Sequence, residues 1–95
     1  MKFHIIKNVT LRAWSFSIHL IDSVGVETLR KKLGARVRQL RRDAGITQED
    51  FAASCGFARS YMSRVERGTS NLSLDGIERL AIAFNIPVGE LFKGL

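Results

Sequence analysis

The stretch TQEDFAASCGFARSYMSRVERG, residues 47–68, decides the fold of this chain. It predicts two short helices joined by a turn at Gly56. Thr47 is suited to cap the first of these helices, because its hydroxyl can accept a hydrogen bond from a backbone N–H of the first turn. The carboxylates of Glu49 and Asp50 follow at once, where they favour the positive end of the helix dipole. Apolar residues then repeat at helical spacing on both sides of the glycine.

The second helix of this stretch has two chemically different faces. Met62 and Val65 share one side, which forms an apolar face that would dock the helix on a core. The other side carries the hydrogen-bond donors Ser60, Ser63, Arg64 and Arg67. A helix docked on one side and lined with donors on the other is typical of a helix that lies in the major groove of DNA. The pattern therefore predicts a DNA-binding helix-turn-helix.

Arg64 is the residue of this helix best suited to distinguish one base pair from another. It lies opposite the apolar face, and an arginine can donate two hydrogen bonds to O6 and N7 of guanine. A solvated surface arginine is the simpler interpretation, which the surrounding motif disfavours. Ser60 and Ser63 can each donate to a base edge or to a phosphate, and the sequence leaves both options open.

Helical periodicity continues on both sides of the opening stretch. Apolar residues recur at three- and four-residue steps over residues 26–44, and Gly45 is placed to end that helix. Gly34 lies inside it and is expected to weaken it by about 1 kcal/mol relative to alanine. Downstream, Ser73 is placed to cap another helix, and a short last helix follows. Residues 26–95 are thus predicted to form one compact, all-α, five-helix DNA-binding domain.

Residues 1–25 form an N-terminal extension with a different pattern. Polar residues alternate there with the apolar residues Trp14, Phe16, Ile18 and Leu20, which is the period of a half-buried strand. An isolated hairpin is only marginally stable in water, so such strands would need cover from the helical body or from a second subunit. The alternatives are a mobile tail or residues upstream of the natural start site. The extension lacks the uninterrupted apolar region and small-residue cleavage site of a secretory signal.

The net charge of the chain favours a polyanionic partner. Its 95 residues carry a formal charge of +6, which favours nucleic acid first and an anionic membrane surface second. No apolar run is long enough to span a bilayer, and no membrane partner is predicted. The upstream helix carries a run of basic residues that would also suit an ordinary solvated face: Arg30, Lys31, Lys32, Arg36, Arg38, Arg41 and Arg42.

Cys55 is the only cysteine of the chain, which excludes an intramolecular disulfide and fits a reducing cytoplasm. It falls on an apolar helix face, so a core position is predicted, with a redox switch as the alternative. His4 and His19 have no carboxylate or cysteine at metal-ligand spacing. The sequence also shows no catalytic constellation, so a protein that is not an enzyme is predicted. The single cysteine favours a cytoplasmic location. No metal, cofactor or small-molecule ligand is expected.

Residues 33–92 resemble the lambda-repressor-like, xenobiotic-response-element-type helix-turn-helix regulators. The resemblance rests on LGARVRQLRRDAGITQEDFA, SYMSRVERG and NLSLDGIERLAIAFNIPVGELF, which begin at Leu33, Ser60 and Asn71. Its last part looks most like the restriction–modification controller proteins. The resemblance implies transcriptional regulation through sequence-specific binding of double-stranded DNA, as a homodimer on a two-fold operator. The alternative is a protein-interaction module on the same fold, such as an antitoxin or adaptor.

The resemblance also implies roles for individual residues. Contacts to DNA bases are implied for Arg59, Ser60, Ser63 and Arg64. Contacts to the DNA backbone are implied for Gln48, Tyr61, Arg67, Thr69 and Ser70. A structural salt bridge is implied between Arg41 and Glu66. Dimerisation is implied for Ile86, Val88, Leu91 and Phe92. The chain departs from the family at Ala58, where these regulators usually have a serine, threonine or aspartate that caps the recognition helix.

Overall fold

The computed structural model describes residues 27–95, and this part of the chain is all-helical, without strands. The predicted all-α, five-helix body is confirmed. Its elements are α1 (Leu29–Asp43), α2 (Gln48–Cys55), α3 (Arg59–Arg67), α4 (Leu74–Phe84) and α5 (Val88–Leu91). The strand-like extension predicted for residues 1–25 lies outside the described residues. None of the helices in the described part is long and apolar enough to cross a bilayer.

Side-chain caps define where three of the helices begin. The hydroxyl groups of Thr28, Thr47 and Ser73 each accept a hydrogen bond from the backbone N–H three residues later, at 3.3, 3.1 and 3.0 Å. Such a bond satisfies one of the N–H groups that a helix start leaves without an intrahelical acceptor. The helix predicted from Val26 therefore begins later, at Leu29, because Thr28 is its cap. The caps at Thr47 and Ser73 are those that the sequence predicted.

The turn between α2 and α3 depends on a left-handed residue. Gly56 adopts φ +73°, and its N–H donates to the carbonyl oxygens of Ala52 and Ala53. A residue with a Cβ atom rarely adopts this conformation, whereas glycine does so without steric cost. The turn places α3 against both α1 and α2.

One apolar core lies where the helices meet. Its largest fully buried side chains are Val37, Phe51, Met62, Val65, Leu80 and Leu91. The rings of Phe51 and Phe84 stack at a centroid distance of 4.2 Å, which links α2 to α4. Cys55 is buried beside them, as predicted. Burial raises the pKa of its thiol to about 11, although the charge of Arg79 opposes this shift. Since the thiolate is the reactive form, the structure supports the packing role of Cys55.

Gly34 allows the closest approach between α1 and α3. A Cβ atom added to this residue would lie 2.4 Å from the carbonyl oxygen of Val65 and 2.8 Å from that of Glu66. Both distances are shorter than any ordinary van der Waals contact, so a larger residue would force the two helices apart. The expectation that Gly34 only weakens α1 is therefore incomplete, because this glycine also sets the position of the helix that carries the predicted site.

Candidate nucleic-acid interface

The helix α3 is anchored to the domain by one face and exposes the other. Met62 and Val65 are 0% and 2% exposed, and both belong to the core. On the opposite side, Ser60, Arg64 and Arg67 are exposed, and Ser63 is half-buried. The helix therefore has the two faces that the sequence predicts, with its hydrogen-bond donors accessible to a ligand.

No side chain caps the start of α3. Ala58 occupies the N-cap position, with extended backbone and no side-chain hydrogen bond, and Arg59 is the first helical residue. The first N–H with an acceptor inside the helix is that of Met62, which donates to the carbonyl oxygen of Ala58 at 3.0 Å. The N–H groups before it give this helix end a partial positive charge, which favours a nearby anion such as a DNA phosphate.

Two contacts order the side chains on the exposed face of α3. The guanidinium carbon of Arg64 lies 5.6 Å from the centroid of the Tyr61 ring, a cation–π arrangement. One turn further along, Arg67 Nη1 donates to Ser63 Oγ at 2.7 Å. Because Ser63 accepts this bond, its own hydroxyl proton stays available for a base or a phosphate. Arg64 and Ser63 are predicted to contact bases. Each is therefore in direct contact with a residue predicted to contact the DNA backbone, Tyr61 and Arg67 respectively.

A buried ion pair joins α3 to α1. Arg41 Nε donates to Glu66 Oε2 at 2.7 Å, and Arg41 Nη2 donates to Glu66 Oε1 at 3.0 Å. The Glu66 side chain is only 3% exposed and that of Arg41 11%. The pKa of Arg41 is raised by its hydrogen bond with Glu66, although burial opposes the shift. This is the partnership that the family resemblance implied.

The same carboxylate also reaches the start of α2. Gln48 Nε2 donates to Glu66 Oε1 at 3.2 Å. Arg41 Nη1 donates in addition to the carbonyl oxygen of Ile46 at 2.8 Å, in the connection between α1 and α2. The polar network around Glu66 therefore fixes three helices relative to one another. A buried network in which each polar group has a hydrogen-bond partner is rigid, because removing one side chain leaves its partners without hydrogen bonds.

The loop after α3 contains Thr69 and Ser70, the last two residues predicted to contact the DNA backbone. The N–H and the hydroxyl of Thr69 both donate to the carbonyl oxygen of Arg64, at 3.0 and 3.3 Å. These bonds close the end of α3, so a contact from Thr69 to a phosphate would require its hydroxyl to leave this carbonyl. Ser70 is half-buried in the same loop.

The residues predicted to mediate dimerisation do not share one environment. Leu91 is 0% exposed and belongs to the core, so its side chain has no surface to offer a partner. Ile86 and Phe92 are half-buried against the core, and Val88 is 44% exposed. Ile82, which is not among the predicted dimerisation residues, is 70% exposed. It lies off the apolar stripe that docks α4, and an apolar residue off such a stripe is the sequence signal that could have identified it.

A donor-lined helix, seated on a core and tied by a buried ion pair, defines a DNA-binding helix-turn-helix domain. The chain belongs to the family described as "Helix-turn-helix domain", whose family model matches residues 32–91. Control protein C.BamHI of Bacillus amyloliquefaciens is 39% identical over 64 residues, which cover 66% of this chain and 79% of that protein. The protein is thus a helix-turn-helix transcriptional regulator of the lambda-repressor-like type.

Two solved structures are similar to the helical body. The restriction–modification controller protein C.AhdI from Aeromonas hydrophila is 46% identical, with a TM-score of 0.62 over 64% of this chain and 92% of that one. The biofilm regulator SinR in complex with DNA is 29% identical, with a TM-score of 0.59 over 64% of this chain and 98% of that one. The resemblance to controller proteins that the sequence indicated is therefore confirmed.

Proposed function

We propose that this protein binds a two-fold DNA operator sequence-specifically, as a homodimer, and so controls transcription. The observation that carries the proposal is the exposed donor face of α3, held rigidly by the core on one side and by the Arg41–Glu66 pair at its end. Rigid placement of donors favours binding, because little side-chain or helix freedom is lost when DNA is engaged. The solved complex of the similar protein SinR with DNA gives further support.

In this proposal, Arg59, Ser60, Ser63 and Arg64 contact base edges in the major groove. The backbone contacts come from Gln48, Tyr61, Arg67, Thr69 and Ser70. Gln48 can serve both the fold and the DNA, since its amide has two N–H donors and Glu66 takes only one of them. Backbone contacts fix the register of the helix on the duplex, and base contacts supply the choice of sequence.

The proposed dimer follows from the size of a single recognition helix. One helix covers only a few base pairs, whereas a two-fold pair presents two helices about 34 Å apart, one turn of DNA. The exposed apolar surface at the end of α4 is suited to such pairing. Ile82 and Val88 are exposed there, and Ile82, Ile86 and Pro87 line a shallow cleft. Apolar area of this kind is favourably removed from water by a second copy.

Selection of duplexes from a random-sequence DNA pool tests the proposal with the full chain. The expected result is enrichment of a palindrome whose half-sites are about 10 base pairs apart, centre to centre. The binding should weaken steeply as salt is raised, because phosphate contacts release counterions. A pool that stays random at about 0.15 M salt would contradict sequence-specific binding and would favour the protein-interaction module.

The variant Arg64→Ala should bind the selected operator about 1–3 kcal/mol more weakly and lose discrimination at one base pair. The measurement is fluorescence anisotropy with duplexes that carry each of the four bases at every position. Arg67→Ala is the matched control, since loss of a phosphate contact should weaken all sequences equally. An equal loss of affinity for all duplexes in Arg64→Ala would show that Arg64 contacts only the DNA backbone.

The variant Ile82→Glu should be a monomer at concentrations where the parent is a dimer, as measured by sedimentation velocity. A carboxylate at the centre of an apolar contact must be desolvated without a partner, and this opposes association. Leu74→Glu is the matched control, because Leu74 is 84% exposed on the same helix but lies about 12 Å away along its axis. A dimer that survives Ile82→Glu unchanged would place the interface elsewhere.

A further inference from the structure

A polar cleft opens beside the recognition helix, where α1, the start of α2 and α3 meet. Its volume is about 390 Å³, and its lining residues are Arg38, Arg41, Gln48, Ser63, Glu66 and Arg67. Five of these already belong to the network around Glu66 or to the Arg67–Ser63 pair. Arg38 is the one lining residue to which neither the sequence pattern nor the family resemblance gives an individual role.

The cleft carries unbalanced positive charge. Among the described residues that line the cleft, Glu66 is the only carboxylate, and its charge is taken by the two hydrogen bonds from Arg41. Arg38 and Arg67 remain as two cations at its surface, and both are exposed. Within residues 27–95 the structure shows no hydrogen bond or ion pair from the Arg38 guanidinium. Two guanidinium groups with no counter-charge among the described residues attract an anion from solution.

The hydrogen-bonding groups of the cleft favour a phosphate as that anion. Arg67 Nη1 donates one hydrogen bond to Ser63, and the other donors of this guanidinium have no acceptor within residues 27–95. Gln48 retains the second N–H of its amide, and Ser63 its hydroxyl proton. Together with the guanidinium of Arg38, these groups are all donors, and they come from three different helices. A phosphodiester, with one negative charge shared by two non-bridging oxygens and no donor of its own, is complementary to such a set.

The position of the cleft indicates where that phosphate comes from. Ser63 and Arg67 belong both to the cleft and to the donor face of α3. When this face enters a major groove, the sugar–phosphate backbone of one DNA strand lies beside α3. The cleft is therefore continuous with the proposed DNA surface.

We propose that this cleft binds one phosphodiester of the DNA backbone, and that Arg38 of α1 is a direct ligand of that phosphate, together with Arg67 and Gln48. The inference rests on the proposed function and extends its interface from α2 and α3 to α1. Because the Gly34 contact and the Arg41–Glu66 pair hold α1 against α3, a phosphate held by Arg38 sets how deeply the recognition helix enters the groove.

The test compares Arg38→Ala with Lys32→Ala, using a labelled duplex of the selected palindrome and a scrambled duplex of equal length over a range of salt concentrations. Each lost phosphate contact makes the negative slope of log K against log salt less steep by about 0.9, where K is the association constant. The change is about 1.8 for a dimer, which loses two contacts. If the affinities converge near 1 M salt, Arg38→Ala should bind about 30-fold more weakly at about 0.15 M salt. The loss should be equal on both duplexes, so the preference for the palindrome is retained.

Lys32→Ala removes one positive charge from the same helix, at an exposed residue that lies away from the cleft. It should leave the salt slope close to that of the parent. Arg38→Lys keeps a cation in the cleft and should restore most of the slope, which separates lost charge from any disturbance of α1. Thermal melting of the variants should match the parent, because Arg38 is exposed.

The inference is overturned if Arg38→Ala and Lys32→Ala have the same salt slope on the palindrome. It is also overturned if the loss in Arg38→Ala is confined to the palindrome and absent on the scrambled duplex, since Arg38 would then read sequence. A parent protein that selects no palindrome would instead overturn the proposed function, so the two failures are distinguishable.

Discussion

Replacement of Glu66 by alanine is expected to lower the free energy of unfolding by about 3–5 kcal/mol. The substitution leaves the guanidinium of Arg41, 11% exposed, without the two hydrogen bonds that now compensate its burial. It also removes the acceptor of Gln48 at the start of α2. A domain of this size has a total stability of about 5–10 kcal/mol, so the variant should lose a large fraction of its stability.

Urea denaturation followed by circular dichroism measures this loss. Glu49→Ala is the matched control, because Glu49 is an exposed acid in the first turn of α2 and its removal should cost less than about 1 kcal/mol. The double variant Arg41→Met/Glu66→Leu should recover much of the stability, since a buried ion pair is worth little more than well-packed apolar side chains of similar volume. Equal stability of Glu66→Ala and the parent would contradict the buried pair.

The features that the sequence predicted well are those whose physical cause is local. The caps at Thr47 and Ser73 depend on a hydroxyl and on a backbone N–H only three residues away. The turn at Gly56 depends on one residue that can adopt a positive φ. The two faces of α3 follow from the helical period itself. Each of these signals lies within a few residues, so a single sequence is enough to detect it.

Contacts between distant residues could not be derived in this way. Arg41 and Glu66 are 25 residues apart, and only the family resemblance linked them. Leu91 belongs to a helix of four residues, which is too short for a periodic pattern to show which side chain is buried. Its assignment to a dimer surface was therefore wrong for the described structure, in which it fills the core. Arg38 belongs to a run of basic residues whose pattern also suits a solvated face, and only the packing of α1 against α2 and α3 places it at the cleft.

Substitution of Gly34 by alanine is expected to destabilise the domain by about 3 kcal/mol, the upper part of the range for overpacking. The new Cβ would meet the backbone carbonyl oxygens of Val65 and Glu66, at 2.4 and 2.8 Å. Backbone atoms cannot move aside as the end of a flexible side chain can, so α1 and α3 must separate. Helix propensity alone predicts the opposite result, a gain of about 1 kcal/mol.

Gly89→Ala is the matched control for this prediction, because nothing lies within 4 Å of a Cβ atom added at Gly89 in α5. It should be neutral or stabilising by up to about 1 kcal/mol. Propensity predicts the same sign for both substitutions, whereas the packing of α1 on α3 predicts opposite signs, and denaturant unfolding measures both. Gly34→Ala should also weaken operator binding, because α3 moves relative to Gln48 and Arg38, the proposed phosphate ligands outside α3. A Gly34→Ala variant as stable as Gly89→Ala would mean that α1 and α3 are not in the close contact on which the proposed DNA surface depends.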